Sequence, residues 1–236
     1  MRPTKAVALP LLATGLALLL LLAGCSSGGD GKATPPSAHE VLITAKKHLD
    51  EARSVHLTLS TPATPTKGNA VLGADGVLTH QPAFRGTVKV LLGGFTADVP
   101  VVSVAGQVHA KLPLTPRYSV IDPKEYGAPD PAAFADPHRG ISGLLVELRH
   151  PHETGRQRDG SLILTTYAGT VPGALVKRII PSADAHADYP TVVGIDPQGR
   201  VATISVTGHF FTGSKQATYQ LTFGAYDKPV QVKAPR

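Results

Sequence analysis

F-R-G-T-V-K-V-L-L-G-G-F-T-A-D-V-P-V-V-S-V-A-G-Q-V-H-A-K-L, residues 84–112, reads as consecutive strands joined by short turns. Val88, Val90 and Leu92 share one face of a strand over 84–92, with Thr87, Lys89 and Leu91 on the other. Gly93-Gly94 has a hairpin explanation, because glycine tolerates the positive φ of a tight turn. A second strand over 95–104 runs into A-G-Q, and a third covers 108–112. Runs of this length punctuated by Gly and Pro predict an antiparallel meander.

The same grammar continues on both sides. Val55, Leu57 and Leu59 alternate with His56, Thr58 and Ser60, and a short strand over 76–79 ends at a turn over 80–82. Before them, Ser37 followed by Glu40 has the spacing of a capping box. Val41, Leu42, Ala45, Leu49 and Ala52 recur at helical spacing, which predicts a helix to about Arg53. Residues 121–139 hold three Asp-Pro pairs and read as loop. Ile141, Leu144, Leu145 and Leu148 form the stripe of a short helix over 141–149, which Pro151 is expected to end. A strand over 162–167 precedes a second short helix through Leu175, Val176, Ile179 and Ile180, opened by Pro172 and stopped by Pro181. D-P-Q-G at 196–199 is a type I turn signal between strands over 191–195 and 201–207. Ala217, Tyr219, Leu221 and Phe223 then alternate with Gln and Thr. The expected class is α+β, a large antiparallel sheet that twists and curls, with a few helices against one face.

The first residues address the chain. Arg2 and Lys5 precede an apolar run over 6–22, and L-A-G-C at 22–25 places small residues before the only cysteine. This is a secretory signal ending in a lipoprotein box, cut before Cys25 and lipidated on it. An uncleaved span fits less well, since the run falls short of about 20 residues and Pro10 and Gly15 interrupt it. The expected organisation is a signal peptide over 1–24, a flexible Gly- and Pro-rich tether over 25–36, and one domain over 37–236. Two or three acyl chains on Cys25 would hold the protein firmly to the extracytoplasmic face of the plasma membrane.

Removing the first 24 of 236 residues leaves 212, enough for one domain with a sizeable core. With Cys25 acylated no internal disulfide can form, so packing alone must hold the fold. The formal charge of +6 falls to about +4 without Arg2 and Lys5, and the basic residues are scattered. That pattern disfavours nucleic acid and suits a position near anionic head groups. Trp is absent and aromatics make up 5% of residues, which disfavours stacking platforms for bases or sugars.

Catalytic signals are weak. His138, His150 and His152, with Asp136 or Glu153, could be considered for zinc, but Pro151 between two of the histidines breaks helical ligand spacing. No G-x-S-x-G elbow, P-loop or dinucleotide fingerprint occurs. Asp122, Glu125, Asp130 and Asp136 gather in the Pro-rich stretch without singling out a catalytic pair. No metal, cofactor or enzymatic role is assigned. What remains is apolar: short helices facing a sheet, around either a filled core or a core held open as a pocket.

Several segments together resemble the LppX/LprA/LprF/LprG-type lipoproteins of mycobacteria and their relatives. They are L-A-G-C-S-S-G at 22–28, A-R-S-V-H-L-T-L at 52–59, R-G-T-V-K-V-L-L-G-G at 85–94, G-Q-V-H-A-K-L at 106–112, R-G-I-S-G-L-L at 139–145, Y-P-T-V-V-G-I-D at 189–196 and F-G-A-Y-D-K-P-V-Q-V-K-A-P at 223–235. Gly194 and Tyr226 stand where the family commonly has Trp. The resemblance implies a U-shaped antiparallel half-barrel whose concave-face helices surround a hydrophobic cavity. It implies acyl lipids or glycolipids as ligands, carried from the plasma membrane toward the outer envelope. A membrane lipid transporter is a candidate partner. The cavity is then expected to be lined by Leu57, Leu59, Val88, Val90, Leu92, Ile141, Leu144, Leu145, Leu148, Leu175, Ile179, Leu221 and Phe223.

Overall fold

The computed structural model describes residues 35–235, apart from 64, 66, 67 and 212–214. The signal, the lipobox with Cys25 and nearly all of the tether lie outside the described residues.

Helix α1 (Ala38–Glu51) starts where the sequence places it. The Glu40 backbone N–H donates to Ser37 Oγ at 3.3 Å, and the Ser37 backbone N–H donates to Glu40 Oε2 at 2.7 Å. The Ser37 backbone N–H, and then the Ser37 hydroxyl, both donating to Glu40 Oε2, hold its carboxyl below its ordinary pKa. Ser37→Ala is expected to cost about 1 kcal/mol and to lower the Tm by a few degrees in a thermal melt. The inner face of α1 buries Leu42 and Ala45.

Eleven strands follow, all antiparallel, in one sheet that does not close into a barrel. β1 (Ser54–Ser60), β2 (Ala70–Thr79), β3 (Ala83–Leu92), β4 (Phe95–Val104), β5 (Gln107–Ala110) and β6 (Ser119–Ile121) form a meander running outward. The chain then crosses to the far edge through two 3-10 turns (Pro123–Tyr126 and Pro131–Ala135) and α2 (Gly143–Val146). β7 (Arg149–Asp159), β8 (Leu162–Pro172), β9 (Asp188–Ile195), β10 (Val201–Gly208) and β11 (Ala217–Gly224) return inward, with α3 (Gly173–Ile179) between β8 and β9. β11 joins the two halves by pairing with β1, Leu59 with Leu221 and Leu57 with Phe223. The sheet curves, and α1, α2, α3 and the crossing segment pack on its inner face.

Inward residues of the long strands other than β7 join one core, in which Leu57, Ile204, Tyr219 and Leu221 are essentially inaccessible. Tyr189, Phe210 and Tyr219 pack in series, the first pair tilted with ring centroids 5.2 Å apart and the second edge-to-face at 4.7 Å. The outer face is polar: Thr207 bonds Thr218 at 2.8 Å, Thr58 bonds Thr222 and Ser205 bonds Gln220. Inside and outside thus follow the strand alternation expected of a sheet with one wet face.

Three local expectations are corrected. Residues 149–159, where no strand was expected, form β7, the edge strand. Its side chains are mostly exposed, so no apolar alternation announces it. Pro151 lies within this strand rather than ending a helix, and two register shifts break the ladder. A charged, bulged, Pro-containing edge also resists pairing with another chain. The helix expected over 141–149 is one turn only, because Arg149 must already enter β7. β2 begins at Ala70, six residues earlier than expected, its alternation hidden by Gly73, Gly76 and a register shift after Val71.

Candidate functional site: an apolar cleft

Between the β2–β5 part of the sheet and the crossing segment lies an apolar cleft. One wall is regular sheet: Ala74 from β2, Val88, Val90 and Leu92 from β3, Val99 and Val101 from β4, Val108 and Ala110 from β5. Register explains the convergence, since Ala74 pairs with Val88 and Val88 with Val99, which puts all three on the inner face. The other wall is the crossing segment, through Pro123, Tyr126, Ala128, Pro129, Pro131 and Phe134. Leu59, Val71 and Ile179 close one side. No ionisable carboxylate, amine or imidazole lines it, and the Tyr126 hydroxyl is the sole polar side-chain atom among the lining residues.

The free cavity volume is about 70 Å³, within about 690 Å³ of space that includes the open mouth. A second space of about 180 Å³ shares the Leu59, Val71 and Ile179 wall. Unfilled apolar volume costs roughly 24 cal/mol per Å³, or about 2 kcal/mol for the cleft. The walls therefore sit close together, and a long acyl chain could enter only if they part.

The two walls are held differently. The sheet wall is held by ladder hydrogen bonds on both sides of β3. The crossing segment is proline-rich and pinned to β4 through Ser103 Oγ, which donates to Asp130 Oδ1 at 2.6 Å. The same oxygen accepts from the Ala132 backbone N–H at 2.9 Å and caps the second 3-10 turn. Further along, Lys46 Nζ on α1 donates to the Pro137 carbonyl at 2.6 Å and to Ser142 Oγ at 3.2 Å.

The thirteen apolar residues singled out in the sequence all reach the inner core, but they divide there. Leu59, Val88, Val90, Leu92 and Ile179 line the cleft. Ile141 and Phe223 border a smaller space of about 20 Å³ beside the end of α1. Leu57, Leu144, Leu145, Leu148, Leu175 and Leu221 are buried without bordering the cleft. Most of the lining was not singled out; on the crossing wall, Pro129, Pro131 and Phe134 sit in a stretch whose composition reads as solvated loop. Its only signal is the recurrence of apolar residues between the Asp-Pro pairs.

The polar clusters have structural partners. Asp136 accepts from the His138 backbone N–H at 2.8 Å and pairs with the Arg139 guanidinium, and these bonds hold its carboxyl below the usual range. His150 and His152 lie on the β7 edge. Among the described residues no three His, Cys, Asp or Glu side chains gather as metal ligands. No helix among them is long and apolar enough to cross a membrane.

The model of the LppX_LprAFG lipoprotein family matches residues 37–232, nearly the whole of the described domain. The chain belongs to that family. LprF from Mycobacterium bovis shares the fold with a TM-score of 0.69 at 18% identity, over 84% of this chain and 96% of that one. Lipoprotein LppX from Mycobacterium tuberculosis does so with a TM-score of 0.62 at 20% identity, over 85% of this chain and all of that one. A comparison with curated protein sequences gave no match.

Gly194 and Tyr226 each sit in packed local surroundings. A Cβ at Gly194 would lie 2.5 Å from Thr203 Oγ1 and 3.0 Å from Leu164 Cδ1, so Leu164 already covers the strand there. Tyr226 donates its hydroxyl to the Val201 carbonyl at 2.6 Å and carries the Arg200 guanidinium 4.9 Å from its ring centroid. Burial pushes the Tyr226 phenol well above its ordinary pKa, so it stays a donor.

Proposed function

We propose that this protein takes acyl chains of a lipid or glycolipid into the cleft and carries them from the plasma membrane toward the outer envelope, without catalysing a reaction. The observation that carries this reading is a cleft walled on both sides by apolar side chains, one side regular sheet and the other the Pro-rich crossing segment. Acyl chains would part the Pro-rich wall from the sheet, and the burial of apolar area, about 25 cal/mol per Å², would offset the separation. Membership of a lipoprotein family and the L-A-G-C box support tethering through lipidated Cys25, after removal of residues 1–24. The 25–36 tether then lets the domain stand away from the bilayer while remaining bound to it. A membrane lipid transporter is a candidate source of the cargo.

The test is extraction of the purified protein with organic solvent, followed by mass spectrometry. Acyl lipid in near-stoichiometric amount is expected. A lipid-free protein that also takes up no fluorescent acyl probe would sink the carrier reading. Cys25→Ala should leave the unfolding transition unchanged and move the protein from the membrane fraction to the soluble one. Retention of that variant on membranes after signal removal would count against the lipid anchor.

A further inference from the structure

We infer that the rim of the cleft at the β3–β4 and β5–β6 turns is a membrane-docking surface that inserts Phe95 and Leu114 into an anionic bilayer. This does not depend on what the cleft holds. Two separate observations point to it.

Phe95 continues the inner row of β4. It pairs with Leu92, as Ala97 pairs with Val90 and Val99 with Val88. Leu92, Val90, Val88 and Val99 line the cleft, so Phe95 extends that row past the rim, where it is 80% exposed. The second observation is Leu114. Residues 112–115 form a tight turn in which the Thr115 backbone N–H donates to the Leu112 carbonyl at 3.1 Å. Pro113 occupies the second position and Leu114 the third, with φ +65°. That is the glycine position of a type II turn. Leucine there is strained, and its side chain is completely exposed. Strain held at an exposed apolar apex gives the domain alone no folding advantage and points to a contact outside it. β4 begins and β5 ends toward the same side of the sheet, Ala110 pairing with Val101, so both turns point the same way.

The occupant is a bilayer rather than a folded partner. Two apolar points on separate turns do not form the contiguous area of roughly 800 Å² that a stable protein interface buries on each side. They suit a soft medium that each can penetrate alone. Lys111 and Arg117, both exposed, flank Leu114, and no acidic residue occurs between Asp98 and Asp122. Basic residues beside inserted apolar ones match anionic head groups.

Residues 36–236 form one compact unit with its own core, so they can be tested free of the lipid anchor. The domain is mixed with vesicles of phosphatidylcholine alone or with added phosphatidylglycerol, and the bound fraction is read by sedimentation. Binding is expected to favour the anionic vesicles and to fall with salt. Phe95→Asp and Leu114→Asp should each lower the partition coefficient by about tenfold or more. Leu114→Gly relieves the turn, so it should weaken vesicle binding while the Tm holds or rises, which a merely structural leucine would not do. Uptake of a fluorescent acyl probe should persist in all three variants, which keeps this test separate from the carrier reading. Equal partitioning of the unmodified domain and both Asp variants would overturn the inference. So would a concentration-dependent dimer that Phe95→Asp dissolves and that binds no vesicles, since the rim would then serve a second copy of the chain.

Discussion

Val88→Trp is expected to abolish uptake of an acyl probe while leaving the unfolding transition within a few degrees of the unmodified domain. Val88 is half-buried, on the cleft wall, with Ala74 beside it on β2 and Val99 on β4. Ala74 leaves room above its methyl group, so an indole at 88 can lie along the cleft. It would occupy the space that a ligand needs and recover part of the roughly 2 kcal/mol that the unfilled volume costs. Val90→Trp is the matched contrast. Val90 is buried, and an indole there must be forced into packed surroundings at about 1–3 kcal/mol. Binding isotherms with a fluorescent fatty acid, paired with thermal melts, separate the two. If Val88→Trp binds the probe as tightly as the unmodified domain, the acyl site lies outside this cleft.

Gly86→Ala is expected to be among the most destabilising single-methyl changes in the domain. Gly86 pairs directly with Gly76 across β2 and β3. A Cβ at 86 would lie 2.2 Å from the Asp75 carbonyl oxygen and 2.6 Å from Gly76 Cα. Both are backbone atoms in the middle of a ladder, so neither can yield without breaking pairing. The ring of Phe84, itself buried, covers both glycines and would lie 2.8 Å from the added carbon. A loss of about 3 kcal/mol, at the upper end of ordinary overpacking, would lower the Tm by roughly 6–12 °C in a domain of this size. Gly93→Ala is a useful control, since a Cβ there meets nothing within 4 Å and only its positive φ opposes the change. A Tm for Gly86→Ala equal to that of the unmodified domain would show that the two strands are not held in this register.

Local features carried much of the fold. Ser37 and Glu40 form their reciprocal bonds within one helical turn, so three residues of spacing sufficed to place the start of α1. The Gly199 backbone N–H donates to the Asp196 carbonyl at 2.9 Å, closing the turn that D-P-Q-G announced. β11 alternates because one of its faces meets the core and the other meets water, and Tyr219, Leu221 and Phe223 are buried as their period requires. β7 was invisible for the converse reason. It gains strand geometry from hydrogen bonds to β8 alone, and with both faces wet its side chains carry no period.

The sequence by itself determined that the chain alternates through many antiparallel strands and that a few short apolar helices must cover one face. Those conclusions rest on spacing within a few residues, which local sterics and hydrogen bonding control. Only the tertiary structure decided where the sheet opens and which apolar residues face the opening. Leu57 and Leu59 are two residues apart on the same face of β1, yet Leu59 borders the cleft and Leu57 does not. Alternation tells which side of a strand a residue occupies. It does not tell how closely another layer approaches that side, because that distance is set by segments far away in the chain. Here the crossing segment, held by Ser103 and Asp130 across the inner face, supplies the second wall.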